Sequence, residues 1–279
     1  MKRRLSAGTL MRFVVIALIL LFLLFPIYWM FATSFKTNME AYRFPPTFFP
    51  EAPTVQSYVN LVEQNNQFFV YYGNNFLISS LTALTTGLCA VLAGYGLSRF
   101  RFRIGTAFVA LLTFCQMFPV ISRMISLYSL LGRVHLINTR SGLILALTAA
   151  MIPFSVMLMT SFFKGVPHEI EEAALVDGAG RIGILFRIVL PLVAGGIVAV
   201  CIYTFLMTWD DYLHALTLIQ TDNLRTLSVG IALRYLGELS YDWSLVNTIS
   251  VVGTLPMVLV FFFFQRYMVK GLVAGAVKG

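Results

Sequence analysis

Six stretches of this chain contain no Asp, Glu, Lys or Arg: Phe13 to Phe35, Phe76 to Ser98, Ile104 to Ser122, Ser141 to Phe163, Ile188 to Trp209 and Trp243 to Gln265. Each is close to the ~20 residues that a helix needs to cross the hydrocarbon core of a bilayer. Inside lipid every backbone amide must be satisfied within its own segment, so a lone stretch of this kind folds as a helix. Hydrophobic residues make up 58% of the chain and charged residues 11%, a balance that excludes a water-soluble globule. The sequence therefore predicts an all-α, polytopic membrane protein with six transmembrane helices, in a single domain over 1–279.

Six spans put both termini on one side, and the basic residues say which. That side receives Lys2, Arg3, Arg4, Arg12, Arg99, Arg101, Arg103, Lys164, Arg181, Arg187, Arg266, Lys270 and Lys278, leaving seven of the twenty for the other face. By the positive-inside rule both termini are cytoplasmic, although Arg123, Arg133 and Arg140 fall in an outer connection. The +8 net charge raises nucleic acid as a partner. Its clusters sit directly beside span ends, however, where membrane lipid headgroups are the partner. Cys89, Cys115 and Cys201 fall inside spans as small packing residues. The first apolar stretch is too long for a signal-peptide core and reads as a retained first helix.

Several spans carry patterns of their own. Span 2 has Ala83, Gly87, Ala90 and Gly94 at helical spacing, a stripe that lets another helix approach closely, with Asn75, Ser79, Thr82 and Thr86 on a different face. Spans 3 and 4 contain Met117-Phe118-Pro119 and Ile152-Pro153-Phe154, where proline removes a backbone bond and invites a kink. The outer segment from Lys36 to about Gly73 is proline-rich, with one short interfacial helix expected over Val55 to Val62. Two polar stripes are candidates for lining a path: Thr204, Thr208 and Asp211 on span 5, and Asn247, Ser250 and Thr254 on span 6. Polar groups are costly against lipid, so both stripes are expected to face the bundle interior.

The segment between spans 4 and 5, residues 164–187, is charged and lies outside the bilayer. Pro167 suits the first position of a helix, and Glu169, Glu171 and Glu172 place negative charge at its positive end. Ile170, Ala173, Ala174 and Asp177 share one face, so two alanines offer a flat surface to a partner. Gly178 permits the left-handed turn that ends the helix. A second short helix from about Ala179 leads into span 5, with Pro191 near its start.

In spacing, Glu172-Ala173-Ala174, then Gly178, then Ile188, Leu190 and Pro191, this segment resembles the cytoplasmic coupling loop of permease subunits in bacterial ATP-binding-cassette (ABC) importers. The tail over 266–279 ends in Gly271-Leu272-Val273-Ala274-Gly275-Ala276-Val277-Lys278-Gly279. It is similar to the terminus of the smaller permease of the carbohydrate branch, that of the maltose-transporter type, with Val273 in place of the usual Thr. Trp209-Asp210-Asp211-Tyr212 resembles that branch's Trp-Asn-Glu-Phe with both polar positions altered. The resemblance implies a type I importer permease fold in the inner membrane, and import of a sugar, oligosaccharide or sugar derivative. It implies a second permease subunit, two ATPase subunits and an extracytoplasmic solute-binding protein. Glu171, Glu172, Ala173, Ala174, Asp177 and Gly178 would couple to the ATPase, and Gly271, Gly275 and Lys278 would contact it as an extended tail.

No Gly-x-x-x-x-Gly-Lys-Ser/Thr phosphate loop occurs, so ATP and Mg2+ belong to the partner ATPase and this chain binds no cofactor. No nucleophile and base are paired, and His135, His168 and His214 fall in loops. Adjacent Asp210 and Asp211 diverge on a helix, so no metal site is expected. The chain reads as a non-catalytic subunit. Permeases for polyol phosphates, peptides or amino acids share the loop. A gradient-driven transporter would usually need an ionisable residue at mid-membrane, and all six windows lack one.

Overall fold

The structure, a computed structural model, describes residues 7–100, 105–236 and 242–276, with backbone alone at 7, 10, 106 and 266–276. Among the described residues every regular element is helical: α1 (Ala7–Ser34), α2 (Asn38–Ala41), α3 (Gln56–Gln64), α4 (Asn66–Arg99), α5 (Gly105–Met117), α6 (Val120–Arg133), α7 (Arg140–Lys164), α8 (His168–Val176), α9 (Arg181–Ile184), a π turn (Leu185–Val189), α10 (Leu190–Leu192), α11 (Ala194–Trp209), α12 (Leu213–Leu218), a 3-10 turn (Asp222–Leu224), α13 (Leu227–Gly230), a second π turn (Ile231–Tyr235) and α14 (Trp243–Ala276). Four of these are long and apolar enough to cross a membrane unaided: α1, α4, α7 and the Trp243–Gln265 part of α14.

Each of the remaining two windows falls in a pair of helices bent sharply at a short break. Span 3 is not the straight Ile104-to-Ser122 helix expected from its composition. Helix α5 stops at Met117, and α6 leaves at 106° to it. Pro119 is the cause, because it lacks an N–H and pushes Phe118 out of the helical region. The 13 residues of α5 rise only about 20 Å, short of the roughly 30 Å hydrocarbon core. Span 5 bends by 75° between Arg181–Leu192 and Ala194–Trp209. Its hinge is Val193, and Pro191 with the π turn just before it disrupts the regular ladder. By contrast Pro26, Pro153 and Pro256 are carried inside continuous helices, so the proline of span 4 does not break it.

The chain packs as two compact units. One gathers the chain up to Phe69 with Ile231–Leu255, and the other gathers Val70–Gly230 with the chain from Pro256. In the first unit, α1 leaves most of its apolar surface uncovered, and the segment that follows it folds around its C-terminal end. There Lys36 is buried, donating from Nζ to the Thr47 carbonyl and lying 4.6 Å from the Trp29 ring centre. Glu40 accepts from the Thr47 hydroxyl and the Glu51 amide. Burial alone would raise its pKa; these donors and nearby Lys36 outweigh it and hold the carboxyl below its ordinary value. The expected interfacial helix is α3, one residue later at its start and two at its end.

The second unit is organised by α4. All four residues of its small stripe, Ala83, Gly87, Ala90 and Gly94, are buried. A Cβ on Gly87 would lie 2.8 Å from the Cys201 sulfur of α11, and one on Gly94 would lie 2.9 Å from the Met159 Cβ and 3.0 Å from the Thr160 nitrogen of α7. Gly196 of α11 meets the Phe162 ring of α7 in the same way. Close approach therefore fixes three helices at once. At the N-terminal end of α4, the Asn74 amide donates to the Asn223 and Arg225 carbonyls and accepts from Arg140, and Tyr71 donates to Asp222. Gly94→Val forces backbone apart and is expected to cost about 1–3 kcal/mol, read as a lower thermal midpoint in detergent. Gly73→Ala, with nothing within 4 Å of its new methyl, should leave the midpoint unchanged or higher.

Candidate functional site

The loop after α7 forms a short, well-terminated helix. Pro167 sits just before α8 as its N-cap, one position earlier than the sequence suggests, and Glu169 and Glu171 occupy the first turn. At the other end Gly178 adopts φ +83°, the left-handed conformation predicted for it. The Ala179 amide returns to the Ala174 carbonyl and the Gly178 amide to that of Leu175, each at 3.0 Å. This double closure satisfies the last carbonyls of the helix and reverses the chain into α9.

The two faces of α8 differ from the expected arrangement. Ala174 is buried with Phe163, Val166, Ile184 and Leu185, so only Ala173 of the alanine pair faces outward. The reason is positional: the turn at Gly178 folds α9 back over the Ala174 side. Glu171 is buried too. Its Oε1 accepts from Arg99 Nε at 2.5 Å and its Oε2 from the Tyr95 hydroxyl at 2.9 Å. Arg99 also donates from Nη2 to the Val166 carbonyl at 2.9 Å. Glu171 therefore turns into the protein. Glu172, Ala173, Val176, Asp177 and Gly178 form the exposed surface, with Val176 88% and Ile182 of α9 76% exposed. Arg181 lies over the Phe100 ring at 5.4 Å, a second tie between the loop and the end of α4.

Arg99, Tyr95 and Phe100 are the residues that reading the sequence missed. Arg99 served only as a topology signal, and its partner lies 72 positions away. The one available clue was a basic residue ending an apolar span opposite an acidic pair in the loop on the same side.

The polar stripes fall in different surroundings. Thr204 and Thr208 of α11 are 0% and 2% exposed, and Thr208 donates back to the Thr204 carbonyl. They lie among the helices of their own unit, where α4 buries Asn75, Ser79, Thr82 and Thr86, and Asn75 donates to the Trp209 carbonyl. Asp211 is held by His214 Nδ1 at 2.7 Å and accepts from the Ala215 amide, which caps α12. On α14, Thr254 is exposed, whereas Asn247 and Ser250 are half-buried. The polar positions of that helix turned inward within its unit are Ser244 and Thr248, the latter donating to the Ser244 carbonyl and touching the Ser34 carbonyl of α1. The expectation that the Asn247, Ser250 and Thr254 stripe faces its bundle interior is thus corrected; Ser244 and Thr248 take that face because α1 packs there. The tail also differs: the backbone of Gly271 and Gly275 continues α14 to Ala276, so it is helical where an extended chain was expected. A helix keeps its carbonyls bonded where an extended strand leaves them open. Lys278 lies outside the described residues.

Several helices long and apolar enough to cross a membrane, with a short capped helix tied to the end of one of them, are the architecture of a polytopic membrane protein. The chain matches the family described as binding-protein-dependent transport system inner membrane component over residues 87–273, and it belongs to that family. It is similar to the sulfoquinovosyl glycerol transport system permease protein SmoH of Agrobacterium fabrum, 35% identical over 98% of this chain and 95% of that one. It is also similar to the trehalose/maltose transport system permease protein MalG of Thermococcus litoralis, 32% identical over 92% of each. In fold it resembles a chain of a bacterial ABC transporter involved in the import of alginate, with TM-score 0.82, 21% identity and coverage of 95% of this chain and 99% of that one. This is the type I importer permease architecture, in a multi-pass membrane protein.

Because Ala174 is packed and Ala173 is not, Ala174→Leu is expected to lower the thermal midpoint by the equivalent of about 1–3 kcal/mol, while Ala173→Leu leaves it in place. Thermal denaturation of the two purified variants in the same detergent checks this.

Proposed function

We infer that this chain is the membrane-spanning, non-catalytic subunit of an ATP-driven importer of a sugar, oligosaccharide or sugar derivative, and that it works as a single permease domain over 1–279. The observation that carries this reading is the α8 knob, closed by Gly178 and presenting Glu172, Ala173 and Val176 to whatever docks beneath it. Relatives named for sulfoquinovosyl glycerol, trehalose and maltose, and diacetylchitobiose support the sugar class. In this reading both termini are cytoplasmic and a second, different permease chain completes the path. Two ATPase subunits bind ATP and Mg2+, and an extracytoplasmic binding protein delivers the solute. The helical end of α14, including Gly271 and Gly275, meets the ATPase pair, with Lys278 beyond it. Closure of the ATPases on ATP swings the docked knobs and switches access across the membrane; the chain's task is conformational.

Docking is tested with Gly178→Val. A β-branched residue at φ +83° is strained by roughly 1 kcal/mol or more, so the end of α8 reshapes. The variant is expected to keep its place in the membrane but to lose ATPase co-purification and binding-protein-stimulated hydrolysis. Unaltered values for both would refute the docking role.

For the path, the exposed end of the α14 stripe is the favoured lining. With Thr204 and Thr208 enclosed and Asp211 occupied, the α11 stripe serves helix packing. Thr254→Cys should react with a small water-soluble maleimide at a rate that changes with ATP, and Thr208→Cys should stay unreactive. Equal protection of both sites in every state, with reaction only toward a lipid-soluble reagent, would remove the stripe from the path.

A further inference from the structure

Within the second unit, α4 is held by polar side chains at both ends. At its cytoplasmic end, Arg99 grips the Glu171 carboxylate and the Val166 carbonyl, bracketing the start of the coupling loop, and Tyr95 adds a hydrogen bond to the same carboxylate. The arginine and glutamate side chains are only 4% and 11% exposed. At the other end, Tyr71 bonds Asp222, and Asn74 bonds the carbonyls of Asn223 and Arg225. From Tyr71 to Arg99 a helix rises about 42 Å. Along that length Gly94 of α4 packs against Met159 and Thr160 of α7, and Gly87 against the Cys201 sulfur of α11.

We propose that Arg99 is a positioning residue that makes α4 the rod linking the coupling helix to the outer turn at Asp222–Arg225. The proposal rests on the importer reading above and deepens it. The covalent route from α8 to the outer face runs through α9, the π turn and the 75° bend at Val193, so it is not one continuous helix. The Arg99 route has no hinge. An exposed ion pair yields under load because water competes for both partners. A buried one resists, since separating it strands a charge in a poorly solvated site. The fork geometry matters as well: Nε holds the carboxylate while Nη2 holds a carbonyl five residues earlier, so the guanidinium fixes both position and tilt of α8. Displacement of α8 by a docked ATPase is then delivered directly to α4 and to the turn that α4 holds outside.

The test uses the complete transporter complex in proteoliposomes, with Asn223→Cys placed on the exposed outer turn and a membrane-impermeant maleimide as probe. A complex without that substitution controls for the native cysteines. With the latch intact, ATP binding should change the labelling rate about fivefold. Glu171→Gln, which preserves shape, should abolish most of that change while ATPase co-purification persists. Arg99→Lys should retain an intermediate response, since an ammonium reaches one acceptor but not both. Should Arg99→Met alone fail to fold, Arg99→Met/Glu171→Met leaves no lone buried charge and is expected to assemble without the ATP response. An undiminished response in Glu171→Gln or in the double variant overturns the rod. So does loss of ATPase binding in Glu171→Gln, which would place that carboxylate in the docking surface itself. An unsubstituted complex that binds its ATPase but shows no response at the outer turn also overturns it. Failure of the unsubstituted chain to bind any ATPase would instead sink the importer reading beneath it.

Discussion

The missing Cβ atoms of Gly87, Gly94 and Gly196 govern the packing of the second unit, because a Cβ there would meet the Cys201 sulfur, the Met159 Cβ with the Thr160 nitrogen, and the Phe162 ring. In lipid the hydrophobic effect does not drive helices together, so contact distance and shape decide association. Once these backbones are fixed, the polar residues of α4 have no freedom. Asn75, Ser79, Thr82 and Thr86 lie beside the small stripe and are buried with it. Thr204 and Thr208 are enclosed in the same unit for the same reason.

Breaks in the helices fall where the backbone cannot continue its ladder. Pro119 separates α5 from α6, and Val193 follows Pro191 and a π turn. Yet Pro26, Pro153 and Pro256 sit inside unbroken helices. A proline thus permits a break, and neighbouring packing determines whether one occurs. At span 5 the break lies on the covalent line between the knob and its span, which is what gives the tie from Arg99 its mechanical importance.

The knob combines local and distant causes. Gly178 closes α8 through hydrogen bonds that reach back only three to five residues, so this turn is encoded locally. What lies behind α8 is not local. Arg99 arrives from the end of α4 and removes Glu171 from the surface, leaving Glu172 as the outward carboxylate of an adjacent pair. Neighbours in sequence on a helix point about 100° apart, and which of two like residues is outward depends on what packs against them.

By itself the sequence determined whatever depends on the solvent and on short-range geometry. Charge-free windows identified the four unbroken apolar helices, because lipid tolerates only backbone that bonds to itself. The spacing of Glu172, Ala173, Ala174 and Gly178 identified a short helix closed by a left-handed glycine, because a capped helix is a local structure. The small stripe on span 2 announced a close contact without naming its partner. Tertiary structure decided which faces are spent on packing. It buried Ala174 and Glu171, enclosed the α11 stripe, gave the inward face of α14 to Ser244 and Thr248, and continued that helix through Gly271 and Gly275. Periodicity shows that residues share a face, but only the neighbour supplied by a distant part of the chain determines what that face meets.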